Sequence, residues 1–270
     1  MIPNRLKEIW AAGRATANGW LSIGNPFVAE IMAAQGYDSL TIDMQHGALD
    51  YAAALPMLQA MRASGVVPLV RVPWLDPGAV MKALDAGAYG IICPMINTPD
   101  EAARLVSYLR YPPAGLRSFG PTRAAYAAGP DYAAEANANI LAFAMVETAE
   151  ALENVDAIAA TPGLDGIYVG PADLAMSLSA NRLAAGFDRE EPMMTEAFRK
   201  VAEACRRAGI VAALHCGTAE YAARAVGWGY RMTTLGGGDA RLLAAAAAAG
   251  VARFRDLTSG QAAAVPAGTY

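Results

Sequence analysis

A single-domain α/β fold, the (β/α)8 barrel, is what this chain of 270 residues predicts. Three observations lead there. Short, nearly continuous apolar runs recur along the whole sequence, as expected of parallel strands covered on both faces. Amphipathic stretches of helical period separate them. Eight such units fit a chain of this length closed into one barrel. The competing open, doubly wound sheet calls for Gly-x-Gly-x-x-Gly after an early strand, and the sequence has none there.

The strands are expected at residues 20–23, 40–43, 67–72, 90–95, 141–147, 166–169, 211–215 and 231–235. In residues 51–63, Leu55, Leu58 and Met61 recur at helical spacing. Gly87 suits the C-terminal cap of a helix over 78–86. Thr98 followed by Pro99 marks an N-cap and first turn for a helix over 99–109. Further helices are expected over 148–160, 192–208, 218–226 and 240–254. The connection 111–140 is long and carries Pro112-Pro113, Gly115, Gly120-Pro121, Arg117 and Arg123. Long ordered connections in compact domains tend to be functional, so a functional part is expected of this one. The barrel is assigned to residues 1–258 and a small-residue tail to 259–270.

Composition excludes several classes of function. Hydrophobic residues make up 55% of the chain, which is high for a monomer and points to surface buried between subunits of a homo-oligomer. The net charge is −4 and the basic residues are scattered, so nucleic acid is not an expected partner. No apolar stretch is long enough to span a membrane. The first residues lack the charged-then-apolar order of a signal peptide, and Cys93, Cys205 and Cys216 form no Cys-x-x-Cys. A cytoplasmic enzyme with reduced thiols is the expectation. Lys7, Lys82 and Lys200 are the only lysines, and none follows an apolar strand-like run. A Schiff-base lysine, which needs a desolvated pocket, is therefore not expected.

Polar residues concentrate where the runs end, which is where barrels of this type carry their chemistry. Asp43 and His46 stand three residues apart past the second run. They read as a dyad in which the carboxylate orients the imidazole, or as a helix-capping aspartate beside an idle loop histidine. Glu147 and Asp173 follow the fifth and sixth runs. Two carboxylates on neighbouring tips can share a divalent cation and leave positions open for substrate, the alternative being an N-cap and a surface residue. Arg71 lies inside an apolar run and must be paired or functional. It suits an enolate oxygen, or else a structural ion pair with Asp43 or Asp85. His215 ends the seventh run, as a pocket residue or a core histidine. Gly236-Gly237-Gly238-Asp239 closes the eighth, as a plain turn or the phosphate site common on barrels.

In their order these segments resemble the metal-dependent, class II pyruvate aldolases of the HpcH/HpaI (4-hydroxy-2-oxoheptanedioate aldolase) family, in the phosphoenolpyruvate/pyruvate superfamily. The segments are Asp43-Met44-Gln45-His46, Val70 to Pro77, Leu84-Asp85-Ala86-Gly87, Pro94-Met95, Arg110 to Gly115 with Arg117, Val146-Glu147-Thr148 and Gly170-Pro171-Ala172-Asp173. The resemblance implies that His46, oriented by Asp43 and supported by Asp85, manages protons, and that Arg71 stabilises an enolate. It implies that Glu147 and Asp173 hold Mg²⁺, Mn²⁺ or Co²⁺, and that the backbone at Gly170 and Ala172 receives the pyruvate carboxylate. It also implies hexamers built as trimers of dimers that exchange the last helix. Two positions depart from the pattern: Met145 stands for a substrate-contacting glutamine and Gln45 for a glutamate. The expected activity is reversible cleavage of a 4-hydroxy-2-oxo acid to pyruvate or hydroxypyruvate and an aldehyde, with no nucleotide cofactor. An acyl-CoA lyase of the citrate or malyl-CoA lyase type is the rival within the same class, and a non-catalytic barrel binding a small acid is the rival outside it.

Overall fold

The computed structural model describes residues 1–259, and in it eight parallel strands close into one barrel in sequence order. They are β1 (Thr16–Leu21), β2 (Ser39–Asp43), β3 (Val67–Arg71), β4 (Gly90–Cys93), β5 (Leu141–Val146), β6 (Gly166–Val169), β7 (Val211–His215) and β8 (Met232–Thr234). The register runs without a break from β1 against β2 round to β8 against β1. Every residue of β2, β4, β5, β6 and β8 is buried, which is why those segments read as continuous rather than alternating runs.

The first strand begins four residues earlier than its hydropathy indicates, at Thr16 instead of 20. The hidden part, Thr16-Ala17-Asn18-Gly19, is polar because a hydrogen-bonded cluster fills this part of the interior. Asn18 is fully buried; its Oδ1 accepts from Ser39 Oγ at 2.8 Å and Thr41 Oγ1 at 3.1 Å, and its Nδ2 donates to Thr234 Oγ1 at 3.0 Å. Buried polar groups paired in this way carry little net cost.

The helices keep close to their expected places. Asp76 caps Pro77–Asp85, and Gly87 past its end has φ +108. Thr98 and Glu101 form a capping box on Pro99–Leu109. The stretch 148–160 divides into Ala149–Glu153 and Val155–Ala159. The last helix runs over Asp239–Ser259, past the expected 254, and its buried residue is its first, Asp239. Leu243, Val251, Phe254 and Leu257 on it are 51% to 66% exposed. Residues 260–270 of the expected tail lie outside the described residues.

The connection 111–140 is not on the face that carries the strand tips. It contains the short helices Ala124–Ala128 and Tyr132–Asn139, and it is pinned at the barrel's other end. Arg110 donates to the carbonyls of Ile140 and Gly163 and to the Asp165 carboxylate, all just before β5 and β6. Arg117, fully buried, donates to Asp85 at 2.7 Å and to the Tyr132 hydroxyl at 3.0 Å, and packs over the Tyr111 ring at 4.5 Å. Its expected functional part is thus replaced, within one chain, by a structural one: a cation clasped by a carboxylate and two aromatic rings.

Candidate active site

The C-terminal tips of the strands surround a cavity of about 260 Å³ lined by Trp20, Asp43, His46, Arg71, Met145, Gly170 to Asp173, Phe187 and His215. Of the residues singled out in the sequence, Asp43, His46, Arg71, Met145, Gly170, Pro171, Ala172, Asp173, His215 and Gly237 meet there. Glu147 sits just behind the wall, 2% exposed.

Asp43 and Arg71 are the last residues of neighbouring strands and stand opposite each other in the register. Their side chains form a two-pronged ion pair: Arg71 Nε donates to Oδ1 at 2.8 Å and Nη2 to Oδ2 at 2.6 Å. The Trp20 indole donates to Oδ2 at 3.2 Å, and the backbone N–H groups of Gln45 and His46 donate to Oδ1 at 3.1 and 3.2 Å. Burial alone would raise the Asp43 carboxyl; the Arg71 hydrogen bonds and charge, with the His46 N–H and Trp20, outweigh it and hold the group below its ordinary value. The expected dyad is corrected by this geometry. Asp43 touches the backbone of His46, not its ring, so it fixes Arg71 and the turn after β2 while the imidazole has no hydrogen-bond partner among the described residues. Arg71 Nη1 faces the Met145 sulfur at 3.9 Å, a weak acceptor, and so remains available to a substrate oxygen.

Glu147 and Asp173 form the anionic side of the site. Glu147 Oε1 accepts from the N–H of Met95, which is turned inward by a left-handed backbone at φ 55. Burial first, then the Asp173 charge, push the Glu147 carboxyl up to about 7 against the Met95 N–H and Arg71. Neither carboxylate is in a salt bridge among the described residues. Two oxygen-donor anions that repel each other and lack a cationic side chain fit a hard divalent cation. No group of three or more His, Cys, Asp or Glu side chains converges among the described residues, so remaining positions would fall to water or substrate. Gly170 passes directly beneath: a Cβ there would lie 2.4 Å from Glu147 Oε2 and 2.6 Å from Met145 Cε, so a larger residue would displace the ends of both side chains. Its own N–H points to the Val146 carbonyl at 3.4 Å. The free amides are those of Ala172 and Asp173, in the first turn of Pro171–Leu178, where the helix supplies no acceptor and favours an anion. Of the two amides expected to receive a carboxylate, that of Ala172 is free and that of Gly170 is engaged by Val146, and the Asp173 amide is free beside them.

Two expected residues stand apart. Asp85 ends its helix at the far face, paired with Arg117, and within one chain does not approach His46. Gln45 does not line the cavity; its Oε1 is buried without a partner. The three lysines lie elsewhere, Lys7 on Asp165, Lys82 over Tyr51 and Lys200 on the Leu152 carbonyl. The glycine turn carries φ values of +73, +66 and +109 at Gly236, Gly237 and Gly238. It delivers Asp239, whose carboxylate accepts from the N–H groups of Ser22 and Ile23 at 2.8 and 3.1 Å. A carboxylate of the chain thus occupies donors that a phosphate would need, which favours the plain turn. Trp20 and Phe187 were not singled out. Trp20 opened the expected run 20–23, and only the observed strand Thr16–Leu21 puts it near a tip, while Phe187 comes from an irregular loop.

A family model described as HpcH/HpaI aldolase/citrate lyase matches residues 18–246. A hydroxypyruvate/pyruvate aldolase from Rhizorhabdus wittichii is 41% identical over 254 residues, covering 94% of this chain and 100% of its own. A 5-keto-4-deoxy-D-glucarate aldolase from Citrobacter koseri is 39% identical over 180 residues, covering 66% of this chain and 70% of its own. The crystal structure of an HpcH/HpaI aldolase/citrate lyase family protein from Burkholderia cenocepacia is similar at a TM-score of 0.85 and 36% identity, over 93% of this chain and 99% of that one.

His215 gives the site a pH signature. Burial, then the Arg71 charge, push its imidazole down to about 3, with Asp43 opposing and Arg241 adding. Unfolded, the ring takes up a proton near pH 6.5, so between these values the unfolded chain binds one proton more than the fold. Stability attributable to this group therefore falls as pH drops below 6.5, by about 1.4 kcal/mol per pH unit. Urea unfolding of the wild type and His215→Phe at about pH 7.5 and about pH 5.5 should show the wild type losing roughly 1.4 kcal/mol more than the variant. Equal losses would mean a solvated, protonatable ring.

Proposed function

The chain belongs to the HpcH/HpaI aldolase/citrate lyase family, and from that membership and the site we propose a divalent-metal-dependent aldolase. It would cleave 4-hydroxy-2-oxo acids reversibly to pyruvate or hydroxypyruvate and an aldehyde. The observation that carries this reading is the pairing, across one cavity, of the Arg71 guanidinium clamped by Asp43 with the repelling carboxylates Glu147 and Asp173.

Each residue then has a chemical role. Glu147 and Asp173 would hold Mg²⁺, Mn²⁺ or Co²⁺, which when bound supplies Lewis-acid polarisation of the 2-oxo group. The N–H groups of Ala172 and Asp173 receive the substrate carboxylate at a helix N-terminus. His46, whose ring lines the cavity unpartnered, takes the proton of the 4-hydroxyl. The C3–C4 electron pair passes to C3 and the 2-oxygen as the aldehyde leaves. Arg71 Nη1, held by an ion pair that forms before substrate arrives, stabilises the enolate oxygen without reorganising. C3 then takes a proton to give the 2-oxo acid. Trp20, Met145 and Phe187 keep this region apolar, which strengthens the electrostatic terms.

The names of the relatives favour this substrate class: one acts on hydroxypyruvate and pyruvate, another on a keto-deoxy sugar acid. The acyl-CoA lyase rival needs cations for the CoA phosphates, whereas among the described residues Arg71 is the sole Lys or Arg lining the cavity. A non-catalytic acid-binding barrel leaves His46 without a role.

We further propose a homo-oligomer, a hexamer built as a trimer of dimers, in which the last helix packs on a neighbouring subunit. Leu243, Val251, Phe254 and Leu257 on that helix are too exposed for an isolated chain. Light scattering should give a mass several times 28.1 kDa; an active monomer would contradict the proposal.

The reaction itself is tested by incubating the protein with pyruvate or hydroxypyruvate and a panel of aldehydes, reading products by mass spectrometry. Exhaustive chelation should abolish turnover, and Mg²⁺, Mn²⁺ or Co²⁺ should restore it. Full activity after chelation, with no metal bound, would remove Glu147 and Asp173 from the mechanism.

A further inference from the structure

His215 is nine-tenths buried, lines the same cavity, and has no place in the reaction described above. Its Nδ1 lies 2.9 Å from the Tyr168 hydroxyl, while its Nε2 has no partner among the described residues. The ring is wedged between Phe187, at 4.5 Å, and Trp20, at 4.9 Å, so it cannot turn to seek another. A buried polar atom without a partner, on a ring that lines a binding cavity, is a place for a ligand atom.

Which kind of ligand atom depends on the proton, and the barrel interior decides that. Ser39 and Thr41 donate to Asn18 Oδ1, and Asn18 Nδ2 donates to Thr234 Oγ1. Reversing the Asn18 amide would leave both buried hydroxyl protons of Ser39 and Thr41 without acceptors, whereas this orientation leaves one amide hydrogen. Thr234 Oγ1 accepts from Asn18 and has only the Tyr168 oxygen, 2.6 Å away, as acceptor for its own proton among the described residues, so satisfying that buried proton makes Thr234 the donor. Tyr168 must then donate to His215 Nδ1. The neutral ring then carries its proton on Nε2, the nitrogen without a partner among the described residues.

We propose that His215 is a specificity-determining residue: its Nε2–H donates to a hydroxyl oxygen of the substrate beyond those consumed in the reaction. A neutral donor beside two aromatic rings suits an uncharged oxygen better than a carboxylate. The hydroxyl can belong to the donor acid, as in hydroxypyruvate, or to the aldehyde, as in glycolaldehyde. This inference rests on the aldolase reading and deepens it.

The test compares substrate pairs differing by one hydroxyl: hydroxypyruvate against pyruvate with one aldehyde, and glycolaldehyde against acetaldehyde with one donor. In the wild type kcat/KM should favour the hydroxylated member of one pair. His215→Phe, which keeps a ring between Phe187 and Trp20, should reduce that preference about tenfold or more. Because the ratio is taken within one variant, general damage cancels. Tyr168→Phe, which keeps the His215 ring but frees its tautomer, should reduce the preference in part. ¹⁵N NMR of histidine-labelled wild type, assigned with His215→Phe, should show a protonated Nε2 and a bare Nδ1 at position 215. Unchanged ratios in both pairs, or a proton on Nδ1, would overturn the assignment. Absence of turnover with every pair would overturn the aldolase reading instead, and the NMR result would still decide the donor.

Discussion

The arrangement depends on one buried ion pair, Asp43 with Arg71. Adjacent register at the ends of β2 and β3 brings the two side chains together, and the planar guanidinium meets the carboxylate through two parallel hydrogen bonds. A desolvated pair of this kind is a weak source of stability, because removing both charges from water costs about as much as their attraction returns. Its value lies in position. One carboxylate also collects the Trp20 indole and two backbone N–H groups of the turn that carries His46. It thereby sets the guanidinium, the aromatic wall and the histidine turn, and leaves one guanidinium nitrogen facing the cavity.

The anionic half follows the opposite logic. Asp43 is saturated with donors, whereas Glu147 is buried with one backbone donor and feels the charge of the exposed Asp173. Opposite environments for carboxylates within one cavity separate their roles: one remains an anion that positions a cation, and the other two present unspent charge. Beneath both lies a polar interior, from Ser39 and Thr41 through Asn18, Thr234 and Tyr168 to His215, which orients the last ring without adding charge.

The barrel was legible because parallel strands buried on both faces leave unmistakable apolar runs, and Asp43, Arg71, Glu147 and Asp173 were legible because polar residues at the ends of such runs have few other uses. Thr16 to Gly19 escaped because the hydrogen bonds that make a polar strand tolerable come from β2 and β8, far away in sequence. Asp43 had two readings, a dyad with His46 and an ion pair with Arg71, and local spacing could not choose between them. Spacing put it three residues from His46, but the sheet register put it beside Arg71, and a guanidinium offers a carboxylate two charged donors where an imidazole offers one. Asp85 and Arg117 are polar residues of the far face, and no local pattern distinguishes the end of a barrel at which a helix stops. His215 could be seen to end a strand, but its free nitrogen depends on contacts from four other strands.

Whether Asp43 acts through Arg71 rather than through His46 is tested most directly by the rate of oxaloacetate decarboxylation, which passes through the same enolate but needs no base at a 4-hydroxyl. Arg71→Ala and Asp43→Asn should each slow it by roughly a hundredfold or more, the loss of about 2.7–4 kcal/mol of preorganised stabilisation. The double variant should be no slower than Arg71→Ala alone, because residues acting as one unit are not additive. His46→Ala should impair aldol cleavage far more than decarboxylation. If Asp43→Asn instead follows His46→Ala, losing cleavage while retaining decarboxylation, then the carboxylate serves the imidazole and the ion pair with Arg71 does not organise the site.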